Sequence, residues 1–319
     1  MEFISDCTQE AIKKAARALK DGHLVAFPTE TVYGLGADAT NEQAVGKIYR
    51  VKGRPSDHPL IVHVSSVHQL DNWAIDIPEF AMKLATKFWP GPMTLVLKRS
   101  ELAKNFITGN QDTVGLRVPD QPVATALLKE FEKISGLGIT APSANQFGAV
   151  SPTSASEVAE ELGKSLSAND LVLNGGRCVI GIESTIIDCT NKSPNVLRPG
   201  FISIEMIEEV TGIKSNLNLK TSEVRSSGQF SSHYAPSAKV ILDQTPRAGE
   251  GFLAMASIET PSGAIRLGSP VSIEEFASIM YSVLRLADRQ GLKKIYVVQP
   301  LGSGLALAIR DRLKKAAFG

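Results

Sequence analysis

Residues 27–64, FPTETVYGLGADATNEQAVGKIYRVKGRPSDHPLIVHV, decide how the rest of the chain is read. The stretch begins on the tail of an apolar run, HLVAFP (23–28), expected as a short buried strand. A threonine-rich turn follows. Thr40, with Gln43 three residues on, forms a capping box for a helix that stops at Gly53. LIVHV (60–64) then supplies a second strand, ending on His63. Strand, capped helix and strand in succession are the repeating unit of α/β folds. The same stretch carries hydroxyls, the Lys52-x-Arg54 pair and an imidazole, which together suit a phosphate beside a small polar substrate.

The pattern continues on both sides. Asp6 and Gln9 read as the cap of a helix over AIKKAARALK that ends at Gly22. MTLVLK (93–98), TVGLRV (113–118), LGITA (137–141), LVLN (171–174), STIID (184–188) and NVLR (195–198) read as strands. Helical stretches are expected at 78–88, 121–132 and 154–162, the last with the capping box Ser154-x-x-Glu157. Strands 184–188 and 195–198 have no helix between them, so they should pair antiparallel and the sheet should be mixed.

From about Gly212 to Ser237 the chain turns polar and serine-rich, as a linker does. AKVILD, GFLAMA, a helix capped by Ser272-x-x-Glu275, the strand KKIYVVQP and a last helix over LALAIRDRLKKAA follow. The expected division is a larger α/β domain at 1–211, a linker at 212–237, and a small α/β domain at 238–319.

Bulk composition narrows the class. With 43% hydrophobic and 21% charged residues, the 319-residue chain has an ordinary globular composition, and its length suggests two domains. A net charge of +1 argues neither for nor against a polyanionic partner. Cys7, Cys178 and Cys189 form no C-x-x-C pair, which fits a reducing cytosol. No secretory leader and no bilayer-spanning run are expected, so the protein reads as cytoplasmic.

No P-loop and no G-x-G-x-x-G after a strand is present, and Gly302-Ser-Gly304 reads as a strand-to-helix turn. Phosphate binding must then rest on side chains. Lys52, Arg54, Arg117 and Arg198 sit beside Gly or Pro at element edges, where loops gather ligands, although a single Lys or Arg is ordinarily just solvated. Thr140-Ala-Pro-Ser143-Ala-Asn145, with Gly148 and Ser151-Pro-Thr153, brings hydroxyls and backbone N–H groups to a helix entrance; taken alone it reads as a helix-capping turn. His58, His63 and His68 are five apart, a spacing that aligns on neither strand nor helix, so an orienting imidazole at His63 is preferred to a metal site. Glu30 and Glu183, each flanked by threonine or serine, read equally as bases or structural acceptors. Arg310, Arg312, Lys314 and Lys315 read as a solvated helix end rather than a docking face.

Eight segments together resemble the threonylcarbamoyl-AMP synthase family, the YrdC-like proteins, in its longer form. They are Pro28–Gly36, Lys52–His63, Trp89–Thr94, Val114–Pro119, Ala141–Asn145, Glu183–Thr185, Leu197–Gly200 and His233–Pro236. The resemblance implies a YrdC-like twisted mixed sheet with flanking helices and a concave site, plus a small Rossmann-like C-terminal α/β domain. It implies a reaction of L-threonine, bicarbonate or CO2 and ATP that yields threonylcarbamoyl-AMP and pyrophosphate. That product serves N6-threonylcarbamoylation of the adenosine 3′ of the anticodon in tRNAs reading ANN codons. It implies Lys52, Arg54, Ser143 and Asn145 as catalytic. Arg54, His58, Thr113, Ser143, Ser151, Arg198 and Tyr234 would bind ATP, and Thr31, His63, Arg117, Ala141 and Ser184 would bind threonine. Mg2+ would travel with the nucleotide, without a structural metal. Partners would be the tRNA-threonylcarbamoyl transferase proteins, with possible tRNA or double-stranded RNA contact and no membrane. Ser226–Ser232, before His233, departs from the family pattern and bears on lid closure.

Two other readings are open to the same residues. One is an RNA-binding factor without chemistry, against which stand an aromatic content of 6% and no aromatic–basic interleaving. The other resembles the hydrogenase-maturation carbamoyl transferases, whose zinc-finger cysteines and acylphosphatase-like region are missing here.

Overall fold

The alternation of apolar runs and capped helices gives the following elements in the computed structural model, which describes residues 4–135, 137–217 and 234–318. First come β1 (Ile4–Asp6), α1 (Gln9–Lys20), β2 (Val25–Phe27), β3 (Gly34–Asp38), α2 (Glu42–Lys52) and β4 (Ile61–His63). Next are α3 (Leu70–Trp73), α4 (Glu79–Phe88), β5 (Met93–Lys98), α5 (Asn105–Thr108), β6 (Thr113–Arg117) and α6 (Pro122–Ser135). Then come β7 (Ile139–Thr140), α7 (Ala155–Leu162), β8 (Leu171–Asn174), β9 (Thr185–Asp188), β10 (Asn195–Arg198), α8 (Ile204–Thr211) and β11 (Asn216–Leu217). The rest is β12 (Lys239–Leu242), β13 (Gly251–Leu253), β14 (Ile265–Gly268), α9 (Ile273–Arg289), β15 (Lys294–Val297) and α10 (Leu305–Ala317).

The first eleven strands form one mixed sheet in the order β1-β8-β2-β3-β7-β4-β6-β5-β9-β10-β11. As expected, β9 and β10 are antiparallel, whereas β4 and β6 run parallel in register, with His63 opposite Arg117. The last four strands form an all-parallel sheet ordered β12-β15-β13-β14, flanked by α9 and α10. One core cluster packs Trp73, Leu84, Leu95 and Leu116 around β4, β5 and β6, and a second packs α1 and α6 on the sheet through Leu19 and Phe131. A third contains Val32, Val150 and Ile182 together with Phe276, Tyr281, Leu284 and Ile309, so the two sheets share a continuous apolar core.

Several local expectations move. Asp6 ends β1, paired with Asn174, so Thr8 caps α1 in its place and accepts from Ala11 N at 3.1 Å. Thr40 spends its hydroxyl on Asp38 Oδ1 at 2.7 Å, and Asn41 caps α2 by accepting from Ala44 N at 3.1 Å. Ser154 and Ser272 cap α7 and α9 as their spacing predicts. Strand β3 lies in what reads as turn, because GLGAD has two glycines and no β-branched residue. Those glycines answer to packing, since a Cβ on Gly36 would lie 2.8 Å from the Phe27 ring and 3.0 Å from Ile139 Cγ2. Among the described residues, no helix is long and apolar enough to cross a membrane.

Candidate active site

The site is built on the face of the central strands from which Ile61, His63 and Arg117 project. Strand β4 delivers His63 and β6 delivers Arg117 beside it, both buried. Arg117 Nη2 donates to Glu30 Oε1 at 2.5 Å, and Glu30 Oε2 accepts from Asp120 N at 3.0 Å, which fixes the guanidinium from behind. Glu30 is therefore a structural acceptor here. Burial, then the Arg117 charge, pushes the His63 imidazole down to about 3, so it is neutral at any physiological pH. Its Nδ1 is buried without a hydrogen-bond partner, as is Asn145 Oδ1, and both residues border the same cavity.

Thr29 spends its hydroxyl proton on the Val32 carbonyl at 2.7 Å, so Thr31, 2.7 Å away, donates to Thr29 Oγ1 and keeps lone pairs for the cavity. On β9's leading loop, Ser184 lies 2.8 Å from Thr94 Oγ1 and accepts from Arg198 Nη2 at 3.1 Å. Arg198 Nε also donates to the Ser184 carbonyl at 3.0 Å.

Helix α2 aims the second group of cations. Lys52 is its last residue, Gly53 closes it in the left-handed conformation at φ 63°, and Arg54 follows on the reversed chain. Lys52 Nζ donates to the carbonyls of Ser143 at 2.6 Å and Asn145 at 2.5 Å, pinning the loop after β7. Asn145 Nδ2 donates to Ala149 O at 2.9 Å and Arg54 Nη2 to Pro59 O at 2.9 Å. Burial first, then the neighbouring Arg54, holds Lys52 well below the usual lysine range. Burial also brings Arg54 down to about 10. An anion entering beside these groups would favour their charged forms and draw their pKa values back up.

Thr31, Lys52, Arg54, His63, Arg117, Ala141, Ser143, Asn145, Ser184, Arg198 and Tyr234 therefore meet around one cavity, joined by Phe147 and Glu183. Its free space is about 50 Å³, below the ~300–1,000 Å³ usual for small-molecule sites, so ligands would have to widen it on entry. Three expected residues stand off its wall. His58 packs beside Phe147, with ring centroids 5.5 Å apart. Thr113 shares Arg117's face of β6 four residues earlier, and Ser151 donates to Glu183 Oε1 at 2.6 Å. His233 and Ser226–Ser232 lie outside the described residues.

The sequence reading of the last helix needs correction. Arg312 is no solvated helix end: it is 1% exposed, and its Nε donates to Glu183 Oε2 at 2.8 Å. It occupies the apolar stripe of α10 with Ala308, Ile309 and Ala316. An arginine at i+3 and i+4 from apolar residues is the signal that could have exposed it. Tyr281 of α9 reaches the same carboxylate at 2.9 Å. Burial would raise the Glu183 carboxyl, but Arg312, then Arg198, override it and hold it down at about 2. Glu183 too is an ionised acceptor.

Buried basic side chains and a neutral imidazole around one pocket in a mixed α/β sheet are the equipment of an enzyme acting on a small molecule. Comparison with known proteins makes this specific. A family model described as "Telomere recombination", covering the Sua5, YciO and YrdC proteins, matches residues 17–200. A second, described as "Threonylcarbamoyl-AMP synthase, C-terminal domain", matches residues 202–318. Threonylcarbamoyl-AMP synthase of Pyrococcus abyssi is 42% identical over 96% of this chain and 94% of its own. That of Bacillus subtilis is 38% identical over 97% and 93%. The crystal structure of P. abyssi Sua5 complexed with L-threonine superposes with a TM-score of 0.89 at 39% identity, covering 98% of this chain and 97% of that one. The chain belongs to the threonylcarbamoyl-AMP synthase family, a family of transferases.

Proposed function

We propose that the chain joins L-threonine, CO2 from bicarbonate and ATP into L-threonylcarbamoyladenylate and pyrophosphate, in cytoplasmic tRNA modification. The observation that carries this reading is one cavity whose wall carries Arg117 and His63 from β6 and β4 together with Arg54, Arg198, Ser143 and Tyr234. In this reading Arg117, His63 and Thr31 mark the amino-acid end, and Arg54, Arg198, Ser143 and Tyr234 the nucleotide end.

At the first end, Arg117 pairs with the threonine carboxylate as a planar fork, and His63, Thr31, Ser184 and the Ala141 backbone hold the rest of the amino acid. The threonine amine adds to CO2 and loses a proton, giving a carbamate. A carbamate oxygen then attacks the α-phosphate, the new P–O bond forms, and the bond to the β-phosphate breaks to release pyrophosphate. Arg54 and Arg198 offset the charge on the phosphate oxygens and Ser143 donates a hydrogen bond, while Ser151, its proton on Glu183 Oε1, supports that carboxylate from behind. Lys52, Ser143 and Asn145 act as a unit. Lys52, anchored on two carbonyls of the loop, keeps the loop in shape beside the phosphate site. His58, Thr113 and Tyr234 complete the nucleotide contacts. Orientation and electrostatics supply most of the rate, because a carbamate is short-lived away from its partner.

Mg2+ enters with ATP. Among the described residues no group of three or more His, Cys, Asp or Glu side chains could hold a metal. Glu30 and Glu183 are already engaged by Arg117 and Arg312. The triphosphate itself would therefore carry the ion. Residues 1–211 form the catalytic unit and 238–319 a unit docked on it; most of the expected lid at 212–237, namely residues 218–233, lies outside the described residues. The adenylate passes to a threonylcarbamoyl transferase acting on tRNAs reading ANN codons, and contact with double-stranded RNA belongs to the same proposal.

Incubation with α-labelled ATP, labelled bicarbonate and threonine tests the reading. It predicts a threonylcarbamoyl adenylate carrying both labels and an equal yield of pyrophosphate, each requiring threonine and bicarbonate. Release of ADP, or pyrophosphate formation without threonine, would contradict it.

A further inference from the structure

Glu183 borders the cavity, yet the groups that hold it come from both halves of the molecule. Ser151 donates from the loop before α7, Tyr281 from α9 and Arg312 from α10. Every nitrogen of the Arg312 guanidinium is engaged: Nε on Glu183, Nη1 on Asp311 at 2.6 Å and Nη2 on the carbonyl of Pro199 at 3.1 Å. Pro199 directly follows Arg198. The guanidinium also lies 5.3 Å from the Tyr234 ring, which stacks at 5.7 Å on Tyr281. The backbone at Tyr234 is tied down as well, since Ala235 N donates to Gly148 O at 3.0 Å.

A pair of apolar side chains would dock α9 and α10 as well as this buried ion pair does, because desolvating the charges offsets most of their attraction. What the ion pair adds is a fixed register between the C-terminal helices and the cavity wall. The fit beneath it leaves no slack. At Gly181 (φ 77°), an added Cβ would lie 2.5 Å from both Ala277 O and Ser278 Cα on α9. Arg285 secures the same approach through Glu161 at 2.9 Å and the Val150 carbonyl.

We propose that Arg312 and Tyr281 are positioning residues of the active site. By holding Glu183 they fix Ser151, the Arg198–Pro199 corner and the Tyr234 ring at the nucleotide end, so the C-terminal sheet and helices form a working wall of the cavity. The inference rests on the synthase reading and adds to it residues that touch no substrate.

Steady-state pyrophosphate release by the full-length chain tests it, with ATP and threonine varied separately. Arg312→Met leaves Glu183 buried without its cation and is expected to destabilise the fold. Tyr281→Phe, which loses one hydroxyl, and Gly181→Val, which pushes α9 away and removes no functional group, are therefore measured beside it. Tyr281→Phe is expected to raise KM for ATP about threefold, and Arg312→Met and Gly181→Val about tenfold or more. KM for threonine should change by less than about twofold in all three. A merely structural role would lower Tm and the active fraction and leave both KM values alone; that result, with an active wild type, overturns this inference only. A wild-type chain that makes no adenylate overturns the synthase reading, and this inference with it.

Discussion

His63 shows how one buried side chain couples the site to pH. Its folded value of about 3 lies below the ordinary 6.5, because burial and then Arg117 disfavour the imidazolium. Below pH 6.5 the unfolded chain takes up a proton that the folded chain refuses. Stability is therefore complete above pH 6.5 and erodes as the pH falls towards 3, by up to about 1.4 kcal/mol per unit. His58 is lowered too, by burial and then Arg54, and acts in the same direction. Glu183, ionised down to about 2, adds its own loss only below about pH 4.5. Urea denaturation at pH 6.5 and 5 should show a loss of about 2 kcal/mol in the wild type and a visibly smaller one in His63→Gln. Parallel profiles would show that His63 is not held neutral. Glu30 makes a second residue-scale test. Glu30→Gln keeps the shape but removes the anion that orients Arg117, so KM for threonine should rise about tenfold with KM for ATP little changed. An unchanged threonine KM would mean that Arg117 needs no orienting partner.

At the scale of elements, the end of α2 decides where two of the site's cations point. Gly53 sits at φ 63°, and a Cβ there would meet nothing nearer than Gln146 Oε1 at 3.9 Å. The cost of Gly53→Ala is thus backbone strain alone, about 1 kcal/mol. Strain at the residue between Lys52 and Arg54 should also raise KM for ATP, and Gly53→Asn should be the milder change because asparagine tolerates the left-handed region. Chemical denaturation with ATP kinetics checks both, and a fully neutral Gly53→Ala would contradict this account of the turn. This element was legible in the sequence: the stop at Gly53 and the strand ending at His63 both stand where their patterns put them. The caps were less so. Asp6 and Thr40 have the right chemistry, but long-range pairing claimed the first and Asp38 the second. Strand β3 escaped notice because its glycines serve close packing against Phe27.

For the molecule as a whole, the loops that form the cavity were readable as a set, because short-range chemistry marks each of them. Their convergence was not readable from spacing, since Lys52 meets the carbonyl of Asn145 across 93 residues. Arg312 and Glu183, 129 residues apart, are the extreme case, for no local pattern connects a final helix to a site loop. The shared core of Val32, Val150 and Ile182 with α9 and α10 makes the two sheets parts of one folded body. The central claim is that this body seats an amino acid and a nucleoside triphosphate side by side. A crystal structure of the chain with L-threonine and a non-hydrolysable ATP analogue is the most direct measurement. The account predicts the threonine carboxylate on Arg117 and the α-phosphate between Arg54 and Arg198, with the amine facing that phosphorus within the reach of one carboxyl group. Threonine and triphosphate bound in separate depressions, or the phosphates resting on Arg117, would contradict it.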